Sequence, residues 1–193
     1  MSIELTFSGG AGYFLYQLGI VKALIHIYGK EQLKKYCYLG GVSSGAVVTF
    51  LLLLSCESDK DIDYWYFNYI SKILIKNEGI WSCHLINNYI KEMSNNCLSH
   101  FEDDSYILNK INERYFTFIT QILPYPKTRC ISEFDSNDDL SDVLSITTHI
   151  SYYTDKSLFR IYKKSNNRVW IYCRYKKYVI NYFKSSLGCS TRS

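Results

Sequence analysis

Proline is almost missing from this chain. There are only two, Pro124 and Pro126, within 193 residues, so neither polyproline nor low-complexity architecture applies and long elements run without a forced break. Also missing is any Cys-x-x-Cys pair. The seven cysteines are odd in number and scattered, which argues against a disulfide framework and a zinc site and points to a reducing compartment. No metal and no cofactor is expected. The longest apolar run, Val47 to Leu54 with Thr49 inside it, falls well below the ~20 residues of a membrane span. Met1 leads directly into Ile3-Glu4-Leu5-Thr6-Phe7, with no basic and apolar leader before a small-residue cleavage site, so no signal peptide is expected. A continuous basic stripe is absent as well, which excludes nucleic acid as a partner. The net charge of +4 and the pairs Lys163-Lys164 and Lys176-Lys177 suit an anionic membrane surface instead, at roughly 1 kcal/mol per basic group close to it.

What is present is enough for a core. Hydrophobic residues make up 47% and aromatics 17% of the chain, far from a disordered composition and sufficient for one globular domain. A short β-type segment, Ile3 to Phe7, enters the small-residue turn Ser8-Gly9-Gly10-Ala11-Gly12. Leu15, Leu18, Val21, Leu24 and Ile25 then recur at helical spacing between Tyr13 and Tyr28, which predicts a helix with a broad buried face, stopped by Gly29. The pattern repeats: Tyr36 to Leu39 reads as a strand, Gly40 to Gly45 as a turn, and Ala46 to Leu54 as a buried helix. Tyr64 to Ile75 reads as helical, Tyr115 to Thr120 and Thr128 to Phe134 as two strands joined across the prolines, and Asp135 to Asp139 as a cap for a helix carrying Leu140, Val143 and Leu144. Past Ile150 the periodicity fails. Strands alternating with helices predict an α/β fold, a mostly parallel sheet covered by helices, with reactive groups where strands end and helices begin. The strands at Ile3 and Tyr36 are expected to be parallel neighbours joined through the Tyr13–Tyr28 helix.

Gly41-Val42-Ser43-Ser44-Gly45 fits the Gly-x-Ser-x-Gly turn, in which glycines allow a sharp strand-to-helix bend that exposes a serine hydroxyl. At ~7% usage of each residue the pattern arises by chance in about one chain in fifteen of this length, so its flanks decide: a strand directly before, an apolar helix directly after. The plainer reading of Ser43 is a helix cap. The earlier glycine turn favours the chemical one, because ester hydrolysis needs preorganised N–H donors for its oxyanion. As a phosphate cradle that turn lacks both the Gly-Lys-Ser/Thr of a P-loop and the last glycine of a dinucleotide fingerprint.

Leu5-Thr6-Phe7-Ser8-Gly9-Gly10, followed by Tyr16-Gln17-Leu18-Gly19-Ile20-Val21-Lys22-Ala23-Leu24, then by Gly41 to Gly45 and by Ile131 to Leu144, resembles the patatin-like phospholipases. The resemblance implies a lipid acyl ester hydrolase acting on fatty acyl esters or phospholipids at a membrane surface, from a cytoplasmic location with peripheral membrane contact. It assigns Ser43 as nucleophile, the turn of Gly9, Gly10 and Ala11 as oxyanion hole through the N–H groups of Gly10 and Ala11, and Gly41 and Gly45 as the glycines of the nucleophile turn. It also implies a Ser-Asp dyad in which an Asp-Gly-Gly or Asp-Gly-Ala turn supplies the base.

Here the chain departs from the family. Ala11 and Phe14 stand where glycines are usual, and no Asp-Gly occurs anywhere. The expected Asp turn falls on Tyr172-Cys173-Arg174, by point decay or by a frameshift after about Lys164. The sequence therefore reads as a short or degenerate member, with a domain over residues 1–164 and a divergent Tyr- and Lys-rich tail over 165–193. Asp155 is the nearest substitute base, though it precedes the expected strand and no glycine follows it. A triad of Ser43, Asp142 and His149 is formally possible, but the last two are only seven residues apart. The alternative to an impaired hydrolase is a catalytically inactive protein that keeps the fold to bind a lipid or a partner.

Overall fold

The computed structural model describes residues 2–71, 86–123, 125–150, 154, 157, 160–163 and 169–172. β1 (Ile3–Phe7) pairs in parallel with β2 (Cys37–Gly41), in a register running from Ile3 opposite Cys37 to Phe7 opposite Gly41. Between them lie a 3₁₀ turn (Ala11–Tyr13), α1 (Phe14–Tyr28) and α2 (Lys30–Tyr36). The parallel neighbours are those expected, but α2 was not anticipated. Gly29 explains α2: at φ +77° it closes α1, its N–H donating to Ile25 at 2.8 Å, and a new helix begins at the next residue. A left-handed φ strains a side-chain-bearing residue and suits glycine.

β3 (Tyr115–Leu123) lies parallel to β2 through Leu39–Tyr115 to Gly41–Thr117. β4 (Lys127–Ile131) folds back antiparallel along β3 from Gln121 to Thr117. β6 (Val169–Tyr172) is antiparallel to β3 at Gln121–Tyr172 and Leu123–Ile171, and β5 (Arg160–Lys163) is antiparallel to β6. Four of the six strands, β1, β2, β3 and β5, thus share one direction, although the ladders made by β4, β5 and β6 are antiparallel. Because β4 occupies one edge of β3 from Thr117 to Gln121, β2 and β6 must share the other edge, β2 along its start up to Thr117 and β6 further on, at Gln121 and Leu123. Of the stretch past Ile150, unassigned from periodicity, Arg160–Lys163 and Val169–Tyr172 enter the sheet in this way.

The core is built around α3 (Ser44–Glu57), whose residues from Ser44 to Cys56 are all buried. That is why the Val47–Leu54 run is apolar on every side of the helix: a helix enclosed all round has no polar face to show. Its far end is held by charge. The buried Glu57 carboxylate binds Lys34 at 2.9 Å and the Arg114 guanidinium, while Arg114 also donates to the Lys34 carbonyl at 2.6 Å. This ties α3 to α2 and to α6 (Asp104–Arg114), and removing one partner of such a pair strands the other.

α4 (Ile62–Trp65) starts at Asp61, whose carboxylate accepts from the Tyr64 N–H at 2.9 Å, and runs on as a π-helical turn through Ile70. The rest of the expected helix, to Ile75, lies outside the described residues. α5 (Ile86–Leu98) packs on α7 (Asn137–Thr147) through a buried Ser94–Ser141 hydrogen bond of 2.8 Å. α7 begins at Ser136, whose hydroxyl accepts from the Asp139 N–H, so the Asp135–Asp139 stretch does cap this helix. α1 corrects one expectation. Leu15 is exposed and the polar Gln17 is buried, because the Gln17 side-chain amide donates to the Ser8 carbonyl at 2.7 Å and pins the glycine turn from inside.

Candidate functional site

The turn at Gly41–Gly45 sits at the carboxyl end of β2, the central strand of the three parallel ones. Ser43 has φ 57° and ψ −127°, and among the described residues it is the one non-glycine with positive φ. Such backbone is costly, on the order of 1–3 kcal/mol, and persists only where the surroundings dictate it. They do so here from three sides. The Val42 N–H donates to Phe7 at 3.1 Å, tying the turn to the end of β1. The Ser43 N–H donates to the Thr147 hydroxyl at 3.0 Å, tying it to the end of α7. The Thr117 hydroxyl donates to the Gly41 carbonyl at 2.9 Å, tying it to β3.

Both motif glycines are required by close approach. A Cβ on Gly45 would lie 2.2 Å from the Phe7 carbonyl oxygen, and one on Gly41 would lie 2.4 Å from the Gly45 carbonyl carbon. Backbone cannot give way as a side chain can, so β1, the turn and α3 interlock only without these side chains.

The Ser43 side chain heads α3 without capping it, and its hydroxyl makes no hydrogen bond with any described residue. Ser43 is nonetheless only 5% exposed. Ser43 is sheltered because the end of β1 and the end of α7 flank the turn. α3 directs its positive end here, which favours developing negative charge.

The glycine turn after β1 reaches the same place. The Gly10 N–H donates to the hydroxyl of Ser44, the next residue after Ser43, at 2.9 Å. One of the two N–H groups assigned to an oxyanion is thus directed at the nucleophile turn and occupied by a neutral hydroxyl. No described residue accepts from the Ala11 N–H, and Gly9 lies half-buried beside it.

No carboxylate among the described residues is bonded to Ser43. Asp142 is held by Lys91 at 2.7 Å on the surface, whereas the buried His149 ring lies 2.9 Å from the Asn87 amide and 3.2 Å from the Thr154 hydroxyl. Asp142 and His149 therefore face different partners, and the triad is not assembled. Asp155, Cys173 and Arg174 lie outside the described residues. The backbone of Tyr172 can be placed: it stands opposite Gln121, four residues along β3 from Thr117, on the edge β6 shares with β2. At ~3.3 Å per residue that is about 13 Å along β3 from the end of β2, and β6 runs toward the Ser43 turn.

A family model, patatin-like phospholipase, matches residues 5–175. The chain belongs to the patatin-like phospholipase family. Its relatives are lipid hydrolases, and the α/β architecture with helices flanking the sheet is the one that family membership leads one to expect. No curated protein and no solved structure matches the chain. No helix among the described residues is long and apolar enough to cross a membrane, and none of their His, Cys, Asp and Glu side chains form a group able to hold a metal ion.

For this patatin-like chain the sequence motifs point to Ser43, Gly10 and the two turn glycines, which the fold brings together. They do not reveal Thr147, Thr117, Ser44 or Gln17, each of which holds one of the two turns. Ser44 occupies a variable position of the motif. The bond from Ser43 to Thr147 spans 104 residues, and no local pattern carries such information.

Proposed function

We propose that this protein is a patatin-like lipid acyl hydrolase in which Ser43 is the nucleophile and the missing Asp turn leaves turnover low. The observation that carries the reading is Ser43 itself: a strained, sheltered serine at the strand-to-helix turn, held by its backbone and with its hydroxyl bonded to none of the described residues. In this reading the Ser43 oxygen attacks the ester carbonyl, the alcohol departs, and water releases the fatty acid. The positive end of α3 and the N–H groups of the glycine turn stabilise the oxyanion, the Gly10 N–H by exchanging the Ser44 hydroxyl for it.

Without a base, serine is a weak nucleophile, and general-base help is typically worth 10²–10⁴-fold. The family match continues past Lys164 to residue 175, which favours substitution within the Asp turn over a frameshift. The test is hydrolysis of a short-chain chromogenic ester by the unaltered chain, by Ser43→Ala, and by a triple variant, Tyr172→Asp with Cys173→Gly and Arg174→Gly. We expect slow Ser43-dependent hydrolysis that the triple variant raises by tenfold or more, within that general-base range. Hydrolysis indifferent to Ser43→Ala overturns the nucleophile. Fast Ser43-dependent hydrolysis by the unaltered chain overturns the missing base and turns attention to Asp155.

The second reading, a non-catalytic lipid binder, draws on the Gly10 N–H being already satisfied by Ser44. It predicts no Ser43-dependent hydrolysis in any of the three proteins.

A further inference from the structure

The hydroxyls around the Ser43 turn are used in different ways. Thr49 donates to the Gly45 carbonyl, Thr117 to the Gly41 carbonyl and Thr147 to the Phe118 carbonyl, each at 2.9 Å. These three spend their protons on the fold, as buried hydroxyls ordinarily do. Ser44 does not. Its hydroxyl accepts from the Gly10 N–H at 2.9 Å and donates to no described residue, although Ser44 is only 9% exposed. The Ser44 N–H, first of α3, has no acceptor among the described residues either, since the opening N–H groups of a helix have no partner within it.

A sheltered proton without an acceptor costs stability unless a ligand receives it. The neighbourhood of Ser43 supplies such a ligand. In the hydrolase reading, on which this inference rests, attack by Ser43 turns the ester carbonyl oxygen into an alkoxide that comes to the Gly10 N–H. That N–H already holds the Ser44 oxygen, and two oxygens served by one N–H stand roughly 3 Å apart, close to the length of an O–H···O hydrogen bond. A carbonyl in the place of the Ser44 hydroxyl would only repel the alkoxide. A hydroxyl turns its proton toward it, and one that accepts from an N–H is polarised to donate more strongly.

We propose that Ser44 is a catalytic residue beside the nucleophile: in the empty site its oxygen holds the Gly10 N–H in place, and on attack its hydroxyl donates to the oxyanion. The Gly-x-Ser-x-Gly pattern leaves this position open, so the motif does not assign it.

The experiment is binding of a short alkyl trifluoromethyl ketone, followed by fluorine NMR, to the unaltered chain and to Ser43→Ala, Ser44→Ala and Ser44→Thr. In the adduct the Ser43 oxygen bonds to the ketone carbon, the carbonyl electron pair moves onto its oxygen, and the serine proton passes to water. The oxyanion is thus held without turnover, and the fluorines activate the carbon enough to offset the missing base. We expect an adduct with the unaltered chain, none with Ser43→Ala, one weakened about ten- to a hundredfold in Ser44→Ala, and one within about threefold of the parent in Ser44→Thr, which keeps the hydroxyl. The methyl ketone of the same chain length is not attacked and reports ordinary binding, which should change by less than about twofold in Ser44→Ala. Circular dichroism establishes that each variant is folded. An adduct as stable in Ser44→Ala as in the parent overturns the donor role, and a tighter one makes Ser44 a plug on Gly10 instead. A loss in Ser44→Thr as large as in Ser44→Ala also overturns it, by assigning the effect to packing. If the unaltered chain forms no Ser43-dependent adduct, the nucleophile falls and this inference with it, so failure of the hydrolase reading and failure of the Ser44 role give different results.

Discussion

Replacing Thr147 by valine removes one hydroxyl and keeps the shape of the side chain. That hydroxyl accepts from the Ser43 N–H at 3.0 Å and donates to the Phe118 carbonyl at 2.9 Å. Both Ser43 and Thr147 are buried, so valine leaves the Ser43 N–H without a partner where water does not replace it, a loss of about 1–3 kcal/mol, and forfeits about 1 kcal/mol more at Phe118. The expected destabilisation is therefore about 2–4 kcal/mol. Thr148 is the internal control. It is buried too, but among the described residues its hydroxyl bonds only to the Leu144 and Ser145 carbonyls of its own helix, at 3.0 and 2.9 Å, and Thr148→Val should lose no more than about 1 kcal/mol. Urea unfolding followed by tryptophan fluorescence separates the two, since Trp65 is fully buried. With a slope of roughly 2 kcal/mol per molar, the Thr147→Val midpoint should fall by about 1 M further than that of Thr148→Val. Equal midpoints for the two variants would refute the idea that α7 holds the strained serine through this hydroxyl.

Gly45→Ala should destabilise the chain by more than about 3 kcal/mol or prevent folding, because its Cβ meets the Phe7 and Ser8 carbonyl oxygens at 2.2 and 2.8 Å. Gly12→Ala, with open space around its Cβ, should stay within about 0.5 kcal/mol in the same urea titration, and similar midpoints for these two would refute the interlocking of β1 with the turn. Burial pushes the Cys56 thiol from 9.0 up to about 11. The folded state keeps it neutral while the unfolded chain ionises above pH 9, so this stability is full below pH 9 and is lost as pH rises toward 11, by roughly 2–3 kcal/mol at most. Cys56→Ala should flatten that decline in unfolding free energy; an unchanged slope would assign it to other groups, such as the buried Tyr115 hydroxyl, also pushed up by burial.

Local pattern made much of this molecule legible. The two strand–glycine–helix units could be read because the glycines are demanded by contacts between near neighbours in the same turns, and because an enclosed helix such as α3 must be apolar along its whole length. The Asp135–Asp139 cap is likewise written within five residues. α2 was hidden because Gly29, a correct stop for α1, also permits an immediate restart. Leu15 was misplaced because an all-round apolar helix gives periodicity no face to choose.

The sequence by itself determined that a serine would stand between a strand and a buried helix, with a second glycine turn upstream, since both depend on steric freedom over a few residues. Tertiary structure alone decided that Ser43 is sheltered, that Thr147 holds its backbone from 104 residues away, and that Ser44 occupies the Gly10 donor. Each of these depends on which surfaces the folded chain brings together and which it leaves to the outside, and spacing along the chain does not encode that.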